Sequence, residues 1–421
     1  MRNLLTLVVG FAFWGLFIYQ VGSGQGLKQI LFVRVAHLGL SHQTEAQRLS
    51  GRFTPGVPGM TPRTGTVGDI DNNGELAFYL PLPGKNSLLL SRTAAGKFHN
   101  LSNRIREGMQ DSLSAAFSDY DLSGHQSLFV AGRDGIALYH NIGQHRFSAE
   151  TQKAGLKLET GLVCDGIAIG DFDGDGFPDL VVAVYTDLNQ PVAKPMAVFP
   201  NDFPGESSRL YRNNRNGTFT DVTQTAGLAG NAGRARKVIL ADFNNDGRLD
   251  ILLLRDNKPP ALYLNRGAWK FDDVTWDAGD DLTTNAFFEG SAADFDRDGK
   301  MDLVLWSTHS CRLLMNQGNA TFKRSGVGSI PDPQLRVFGF RGLAGDFDGD
   351  GLDDLVAVDQ AGHLRGFTND SGRFLEVPLA FPDGLERGFL GWFQADDHRS
   401  IYVLAMQSDG HITLLQSLAD H

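Results

Sequence analysis

The stretch that decides the fold runs Gly170-Asp-Phe-Asp-Gly-Asp-Gly-Phe-Pro-Asp-Leu180 and leads directly into the apolar run Val181-Val-Ala-Val184. Counted from Asp171, its aspartates stand at positions 1, 3, 5 and 9, where carboxylates repel one another unless a cation lies between them. The stretch therefore predicts a divalent-cation loop that ends in a β-strand.

The ligand chemistry of this loop favours calcium, which takes about 6–8 oxygen ligands in flexible geometry. The aspartates supply side-chain oxygens, the carbonyl of Phe177 supplies position 7, and Gly176 permits a sharp turn. An EF-hand loop needs a glutamate at position 12, but position 12 here is Val182, within a β-rich run. The ion is therefore predicted to close a turn between two strands.

The same pattern recurs along the chain. Its first positions are residues 69, 119, 171, 242, 294 and 346, which are 50, 52, 71, 52 and 52 residues apart. A degenerate seventh copy without the acidic ligands follows at residues 391–398. A period of about 40–50 residues with several short strands is typical of a β-propeller blade. The prediction is an all-β, seven-bladed propeller with calcium-binding loops over residues 51–421, preceded by an N-terminal hydrophobic helix.

The six acidic loops are not equivalent. Blades 3, 5 and 6 have all four carboxylates, and blade 4 has asparagine at position 3. With the position-7 carbonyl included, the ligands predicted for these four firm calcium sites are Asp171, Asp173, Asp175, Phe177, Asp179, Asp242, Asn244, Asp246, Arg248, Asp250, Asp294, Asp296, Asp298, Lys300, Asp302, Asp346, Asp348, Asp350, Leu352 and Asp354.

Blades 1 and 2 offer fewer carboxylates, so weaker binding and metal-free acidic turns are both open for them. Their candidate ligands are Asp69, Asp71, Asn73, Glu75, Asp119, Asp121 and Ser123. Up to six calcium ions are predicted in total.

These repeats resemble the FG-GAP (VCBS) family, which includes the seven-bladed propellers of integrin α chains. The segment Leu210-Tyr-Arg-Asn-Asn-Arg-Asn-Gly-Thr-Phe-Thr-Asp-Val-Thr223 looks like the version found in bacterial relatives of cartilage acidic protein. The resemblance covers roughly residues 51–421 and implies a binding, adhesion or scaffolding module. The C-terminal domain that often follows the propeller in that group is not expected here.

Residues 1–26 hold Arg2 and then an apolar run from Leu4 to Tyr19, and Glu45 is the first acidic residue of the chain. This segment predicts either an uncleaved membrane anchor or a cleaved signal peptide. Both place the propeller outside the cytoplasm, in a periplasmic or extracellular space that supplies calcium for weak modular sites. Residues 27–50 are expected to form a linker or a partly amphipathic helix.

Three further features concern the packing and the outline of the propeller. Aromatic residues at position 2 of the loops, such as Phe172, are predicted to pack between blades. The interval of 71 residues indicates an insertion near residues 187–207, on the face opposite the calcium loops. The segment Gly51-Arg-Phe53 is expected to supply the outer strand of the last blade and so close the ring.

The net charge of −11 is attributed to the metal ligands, and it excludes nucleic acid as the expected partner. Basic residues recur in the segments that lead into the inner strands. They predict a cationic surface for a protein or anionic glycan opposite the calcium loops, with ordinary solvated charge as the alternative. These residues are Arg63, Arg104, Arg106, Lys157, Arg234, Arg236, Arg336 and Arg387.

No catalytic constellation is recognisable in the sequence, because its eleven histidines are scattered and it has no nucleophile elbow. The chain is therefore predicted not to be an enzyme. The alternative is a polysaccharide-acting lyase or hydrolase built on a calcium-stabilised propeller.

Overall fold

The computed structural model describes residues 30–37, 65–81, 87–92, 98–105, 112–157, 159–191, 199–307, 311–326, 342–358, 364–380, 389–394, 401–406 and 412–418. Nearly all regular structure in these ranges is β-strand. The first strand, β1 (Ile30–His37), precedes the others by almost thirty residues and belongs to the last sheet.

Six sheets contain four antiparallel strands each, hydrogen-bonded in sequence order, and they are the blades of a β-propeller. Blade 1 consists of β2 (Thr66–Gly68), β3 (Leu76–Leu80), β4 (Leu88–Arg92) and β5 (Phe98–Asn100). Blade 2 consists of β6 (Ser112–Ser118), β7 (Ser127–Gly132), β8 (Gly135–Asn141) and β9 (Phe147–Ala149). Blade 3 consists of β10 (Leu162–Gly170), β11 (Asp179–Asp187), β12 (Arg209–Asn213) and β13 (Phe219–Asp221).

The second half of the chain repeats this plan. Blade 4 consists of β14 (Ala235–Ala241), β15 (Asp250–Arg255), β16 (Ala261–Asn265) and β17 (Phe271–Asp273). Blade 5 consists of β18 (Glu289–Ala293), β19 (Asp302–Trp306), β20 (Cys311–Asn316) and β21 (Phe322–Arg324). Blade 6 consists of β22 (Gly342–Gly345), β23 (Asp354–Val358), β24 (Leu364–Asn369) and β25 (Phe374–Val377). Short helical turns lie at Ser102–Arg104, Thr223–Ala226, Thr275–Asp277 and Asp280–Thr283.

The hydrophobic core lies between the blades. One cluster, for example, joins Leu252 and Leu254 of blade 4 to Leu303 and Leu305 of blade 5. Central strands such as β15 are buried along their whole length, which explains why they read as continuous apolar runs. Removal of apolar surface from water at about 25 cal/mol per Å² holds neighbouring blades together.

The position-2 aromatic residues pack between blades, as predicted. Phe243 and Phe295 are 1% and 0% exposed. The Phe243 ring packs edge-on against Phe322 of the next blade, with ring centroids 5.7 Å apart. Phe295 meets Phe374 in the same way at 5.5 Å. The loop of one blade is thus anchored in the outer strand of the following blade.

The last sheet has five strands, ordered β26-β1-β29-β28-β27. Its strands besides β1 are β26 (Leu379–Ala380), β27 (Phe389–Gln394), β28 (Ile401–Met406) and β29 (Ile412–Leu418). Its innermost strand, β27, contacts β2 of blade 1. First strands of successive blades also contact one another from β2 through β6, β10, β14 and β18 to β22.

Strand β1 corrects the expectation of a helix or linker over residues 27–50. It pairs antiparallel with β29, with Leu31 opposite Leu418, so residues 30–37 form a strand rather than a helix or linker. The N-terminal segment does contribute to the last sheet, but through Ile30–His37. The predicted Gly51–Phe53 strand and the hydrophobic segment 1–26 lie outside the described residues.

The insertion of blade 3 lies between β11 and β12, as predicted, and its described part packs back onto the propeller. Phe199 contacts the Tyr185 ring with centroids 5.8 Å apart. The carbonyl oxygen of Pro200 accepts a hydrogen bond from Arg234 Nη1 at 2.9 Å. The insertion therefore bridges blade 3 to the start of blade 4.

Candidate metal centres

Each acidic loop joins the first strand of its blade to the second, so all six occupy one face of the propeller. In blade 3, Oδ1 of Asp171 accepts the N–H of Asp175 at 3.1 Å. Its Oδ2 accepts the N–H of Gly176 at 2.8 Å. The position-1 aspartates of blades 1, 2, 4 and 5 make the equivalent bonds. The position-1 carboxylate thus holds the backbone of positions 5 and 6, and the loop folds around it.

Three acidic triads form at these loops, each with one oxygen per residue and all three oxygens within 4.8 Å of one another. They combine positions 1, 3 and 9 of blades 3, 5 and 6: Asp171, Asp173 and Asp179; Asp294, Asp296 and Asp302; Asp346, Asp348 and Asp354. These hard oxygen donors suit calcium, and the carbonyl at position 7 adds an oxygen from the same loop. The residues present therefore fit the ion predicted from the sequence.

Position 9 is buried in all three triads. The side chain of Asp302 is almost completely buried. Its Oδ1 accepts the N–H of Asn316 at 2.7 Å and its Oδ2 accepts the N–H of Phe295 at 3.2 Å. The same two bonds hold the position-9 aspartates of blades 3, 4 and 6. Position 9 thus ties the loop to the third strand of its blade.

Burial makes ionisation of these carboxyls unfavourable without a cation. Burial, together with the nearby carboxylates of Asp173 and Asp175, raises the pKa of Asp179 to about 7. Burial raises the pKa of Asp302 to about 7 and that of Asp354 to about 8. A bound divalent cation would reverse this effect, because an adjacent positive charge favours the carboxylate form.

The position-5 aspartates lie outside the triads and make other contacts. Burial alone would raise the pKa of Asp175, but the Phe177 amide and the Arg215 guanidinium lower it. Arg215 Nε lies 2.5 Å from Asp175 Oδ2. In blade 5, the Lys300 ammonium pairs with Asp298 and lowers its pKa. Arg248 likewise pairs with Asp246 in blade 4, so cations of the chain lie beside three of the predicted ligands.

Blade 4 keeps the loop geometry with a different donor at position 3. Asn244 Oδ1 accepts the N–H of Asp246 at 3.2 Å, as Asp296 Oδ1 accepts that of Asp298 in blade 5. Burial raises the pKa of Asp250 to about 6. The site therefore offers amide and carboxylate oxygens in the same frame, with one charge fewer.

Blades 1 and 2 differ more from this arrangement, and no acidic triad forms in the described parts of their loops. Histidine nitrogens lie beside their position-3 carboxylates instead. Nδ1 of His125 and Nδ1 of His145 are each 3.7 Å from an oxygen of Asp71. Nδ1 of His140 lies 3.7 Å from Asp121 Oδ2. Imidazole nitrogens therefore lie where the other blades converge carboxylates.

In blades 2 to 6, a buried asparagine at the end of the third strand supports the loops, and the sequence analysis did not predict it. Asn265 Nδ2 donates to the carbonyl oxygen of Phe172 in the preceding blade at 2.9 Å. It also donates to the carbonyl oxygen of Leu249 in its own loop at 3.2 Å. The equivalent residues are Asn141, Asn213, Asn316 and Asn369. The sequence signal is an asparagine at the end of each of these third strands, which in blades 2, 3 and 4 closes a Leu-Tyr-x-Asn segment.

The structure corrects the expectation for two of the basic residues on the opposite face. Arg234 pairs with Asp256 at 2.8 Å, and Arg236 pairs with both Asp256 and Asp165. Both arginine side chains are only 13% exposed. Tyr185 lies under the Arg236 guanidinium, 4.6 Å from the ring centroid. These two arginines hold blades 3 and 4 together and do not present a free cationic surface.

The repeated loops and strands define the class of protein. An FG-GAP-like repeat model matches residues 119–182, 197–253, 242–305 and 294–357, and the chain belongs to this family. The sequence is similar to cartilage acidic protein 1 of Mus musculus, with 32% identity over 159 residues. The protein from Homo sapiens is 30% identical over 159 residues.

These matches cover 35% of this chain and only about a quarter of the relatives, 24% of the mouse protein and 23% of the human protein. Among solved structures, the fold is similar to the BP39L lectin from Burkholderia pseudomallei. That similarity has a TM-score of 0.55 and 12% identity, and covers 84% of this chain and 95% of the lectin.

None of the helices in the described part of the chain combines the length and the hydrophobicity that crossing a membrane requires.

Proposed function

We propose that the chain is a calcium-stabilised, seven-bladed propeller that acts outside the cytoplasm as a binding or scaffolding module. The observation that carries the proposal is the convergence of three carboxylates within 4.8 Å in each of blades 3, 5 and 6. Such groups repel one another across a short distance, and a divalent cation turns that repulsion into attraction. Calcium fits because every donor is a hard oxygen.

Four calcium ions are proposed in the loops of blades 3 to 6. Blade 4 is included because Asn244 supplies an oxygen where its neighbours have aspartate, and Asp250 is held as in the triads. Blades 1 and 2 remain secondary candidates, with histidines beside Asp71 and Asp121. When bound, the ion would hold the carboxylates ionised and join the two ends of each loop.

The five-stranded sheet is proposed as the seventh blade. Contact of its innermost strand, β27, with β2 supports this assignment, because it places the sheet beside blade 1. Strand β1 adds a fourth strand next to β29, so the two ends of the described chain meet within one sheet. A ring closed in this way leaves fewer unpaired strand edges.

The ligand is proposed to be a protein or an anionic glycan bound opposite the calcium loops. The insertion after β11 lies on that face, and insertions on a rigid scaffold often carry binding functions. The lectin of similar fold makes a glycan the first ligand class to test. Because Arg234 and Arg236 are paired internally, other residues of that face would have to contact the ligand.

The test is retention of the chain on immobilised heparin and alginate, compared with neutral dextran, in calcium and after chelation. The proposal predicts retention on an anionic polymer that is lost when calcium is removed, since the propeller then loosens. Equal elution from all columns in calcium would contradict a glycan ligand and leave a protein partner to be sought. Shortening of the polymer during incubation would instead support the polysaccharide-cleaving alternative.

The N-terminal segment is proposed to export the chain, as a membrane anchor or as a signal peptide. Cell fractionation of the full chain with a C-terminal epitope tests this. Recovery of the epitope in the membrane or exported fraction, accessible to added protease, is expected. Recovery only in the cytosolic fraction would contradict export.

A further inference from the structure

Hydrogen bonds connect the acidic loops of three successive blades. Asn245, at position 4 of the blade 4 loop, donates from Nδ2 to the carbonyl oxygen of Gly299 in the blade 5 loop at 2.8 Å. Arg297, at position 4 of the blade 5 loop, donates from Nη2 to the carbonyl oxygen of Asp350 in the blade 6 loop at 2.5 Å. Each acceptor lies at position 5 or 6 of the receiving loop, close to its candidate ligands.

The backbone conformation at position 4 restricts which residues fit there without strain. Position 4 has a positive φ in every described loop, from 52° at Asn72 and 62° at Arg297 to 79° at Gly349. Glycine adopts this conformation without strain and asparagine tolerates it, but arginine adopts it at a cost. Blades 3 and 6 have glycine at this position, Gly174 and Gly349. The arginine in blade 5 therefore carries a backbone cost that its bond to the next loop offsets.

We propose that calcium binding to the loops of blades 4, 5 and 6 is positively coupled, and that Asn245 and Arg297 transmit the coupling. The inference rests on the proposed binding of calcium by these loops. An ion orders positions 1 to 9 of its loop, and this fixes both the donor at position 4 and the acceptor at positions 5 and 6. When one loop has bound its ion, its donor or acceptor is therefore already in position for the loop of the adjacent blade. The adjacent loop then loses less conformational entropy when it binds its own ion.

The residues at position 4 determine which loops can take part in the coupling. Gly174 has no side chain with which the blade 3 loop can reach blade 4. Leu122 at position 4 of blade 2 has an apolar side chain that cannot donate. Among the described residues, the blade 3 loop therefore makes no position-4 bond of this kind to the blade 4 loop, and the coupling proposed here is confined to blades 4, 5 and 6.

The test measures binding of calcium alone to the full chain by flow dialysis, with the number of bound ions read from the same isotherm. Asp348→Lys places an ammonium in the blade 6 site and removes one ion. In the otherwise unchanged chain, this loss is expected to weaken the blade 5 site roughly 2- to 10-fold, the effect of one hydrogen bond. In the Arg297→Gly background, the same loss is expected to leave the blade 5 site unchanged.

Glycine is the chosen replacement because Gly174 and Gly349 show that it fits this backbone, so the variant removes the donor without adding strain. Arg266→Ala is the charge-matched control, since its guanidinium pairs with Asp272 in the same blade. In that background the effect of Asp348→Lys is expected to persist. The coupling would be overturned if Asp348→Lys left the calcium affinity of the blade 5 site unchanged. It would also be overturned if Asp348→Lys weakened that affinity equally in the Arg297→Gly background. An isotherm with no bound ions would instead overturn the proposed function.

Discussion

The indole N–H of Trp269 donates to Oδ2 of Asp173 at 3.0 Å, although the two residues belong to different blades. Trp269 lies in the turn between the last two strands of blade 4, whereas Asp173 is at position 3 of the blade 3 triad. Blades 1 and 2 have a corresponding contact, in which the backbone N–H of His145 donates to Asp71 Oδ2 at 2.8 Å. The candidate ligands thus contribute to contacts between blades as well as to the loops that hold them.

Trp269 should therefore report on the blade 3 site. Terbium, which replaces calcium at oxygen sites, is excited by energy transfer from a nearby indole. Trp269→Phe is expected to remove most of the tryptophan-sensitised terbium emission that arises from blade 3, measured in the full chain by luminescence titration. Trp276→Phe is the control, because Trp276 is 77% exposed and lies outside the loops. Equal emission from the Trp269→Phe variant and the unchanged chain would contradict the assignment of the blade 3 site.

Charge at position 3 should set the order of affinities. Asn244→Asp is expected to raise the calcium affinity of the blade 4 site roughly tenfold, because it restores the charge present in blades 3, 5 and 6. The reciprocal change, Asp296→Asn, should weaken the blade 5 site by a similar factor, since Asn244 shows that the loop accommodates the amide. Calorimetric titration of both variants measures the two shifts. Shifts of the same sign would argue against a common ligand role for position 3.

The difference in stability between calcium-bound and metal-free protein should depend on pH. The buried position-9 carboxyls have folded-state pKa values of about 6 for Asp250, 7 for Asp302 and 8 for Asp354, above the ordinary 3.8. Their contribution to metal-free stability is therefore present in full below the ordinary value of 3.8 and is lost as the pH rises from there through about 6 to 8. Calcium holds the same groups ionised, so its benefit grows over that range.

Melting temperatures measured in calcium and in chelator from about pH 5 to about pH 8 test this dependence. The gap between the two is expected to widen as the pH rises. A gap that narrows over that interval would mean that these carboxyls do not bind the ion.

The buried asparagines should stabilise the seams between blades independently of metal. Asn265→Ala leaves the carbonyl oxygens of Phe172 and Leu249 without this donor, at a cost of about 2 kcal/mol. Urea unfolding in chelator measures the loss, and Asn216→Ala in an exposed turn is the control. A loss no greater than that of the control would show that the inter-blade hydrogen bond contributes little.

The sequence predicted the parts of the fold that repeat. The acidic loops, the position-2 phenylalanines and the strand order within each blade recur at a nearly constant interval, and each is visible locally. The convergence of positions 1, 3 and 9, as in Asp294, Asp296 and Asp302, follows from the loop pattern alone.

The parts that could not be predicted depend on partners far apart in the chain. Strand β1 pairs with β29 across nearly the whole sequence, and no local pattern indicates that pairing. Arg236 was expected on a free cationic surface, but inter-blade packing places Asp165 and Asp256 beside it. The cross-loop bond of Arg297 likewise requires the spacing of two folded blades. Sequence periodicity gives each blade, whereas these contacts depend on how the folded blades lie beside one another.

The central claim, that calcium holds this propeller together, is tested most directly by thermal unfolding in excess calcium and after chelation, with bound metal counted by elemental analysis. Binding of several ions to the folded state alone stabilises it by mass action. About four ions are expected to be retained, with a melting temperature higher by about 10 °C or more in calcium. An equal melting temperature in calcium and after chelation, in a protein that retains no metal, would contradict stabilisation by calcium.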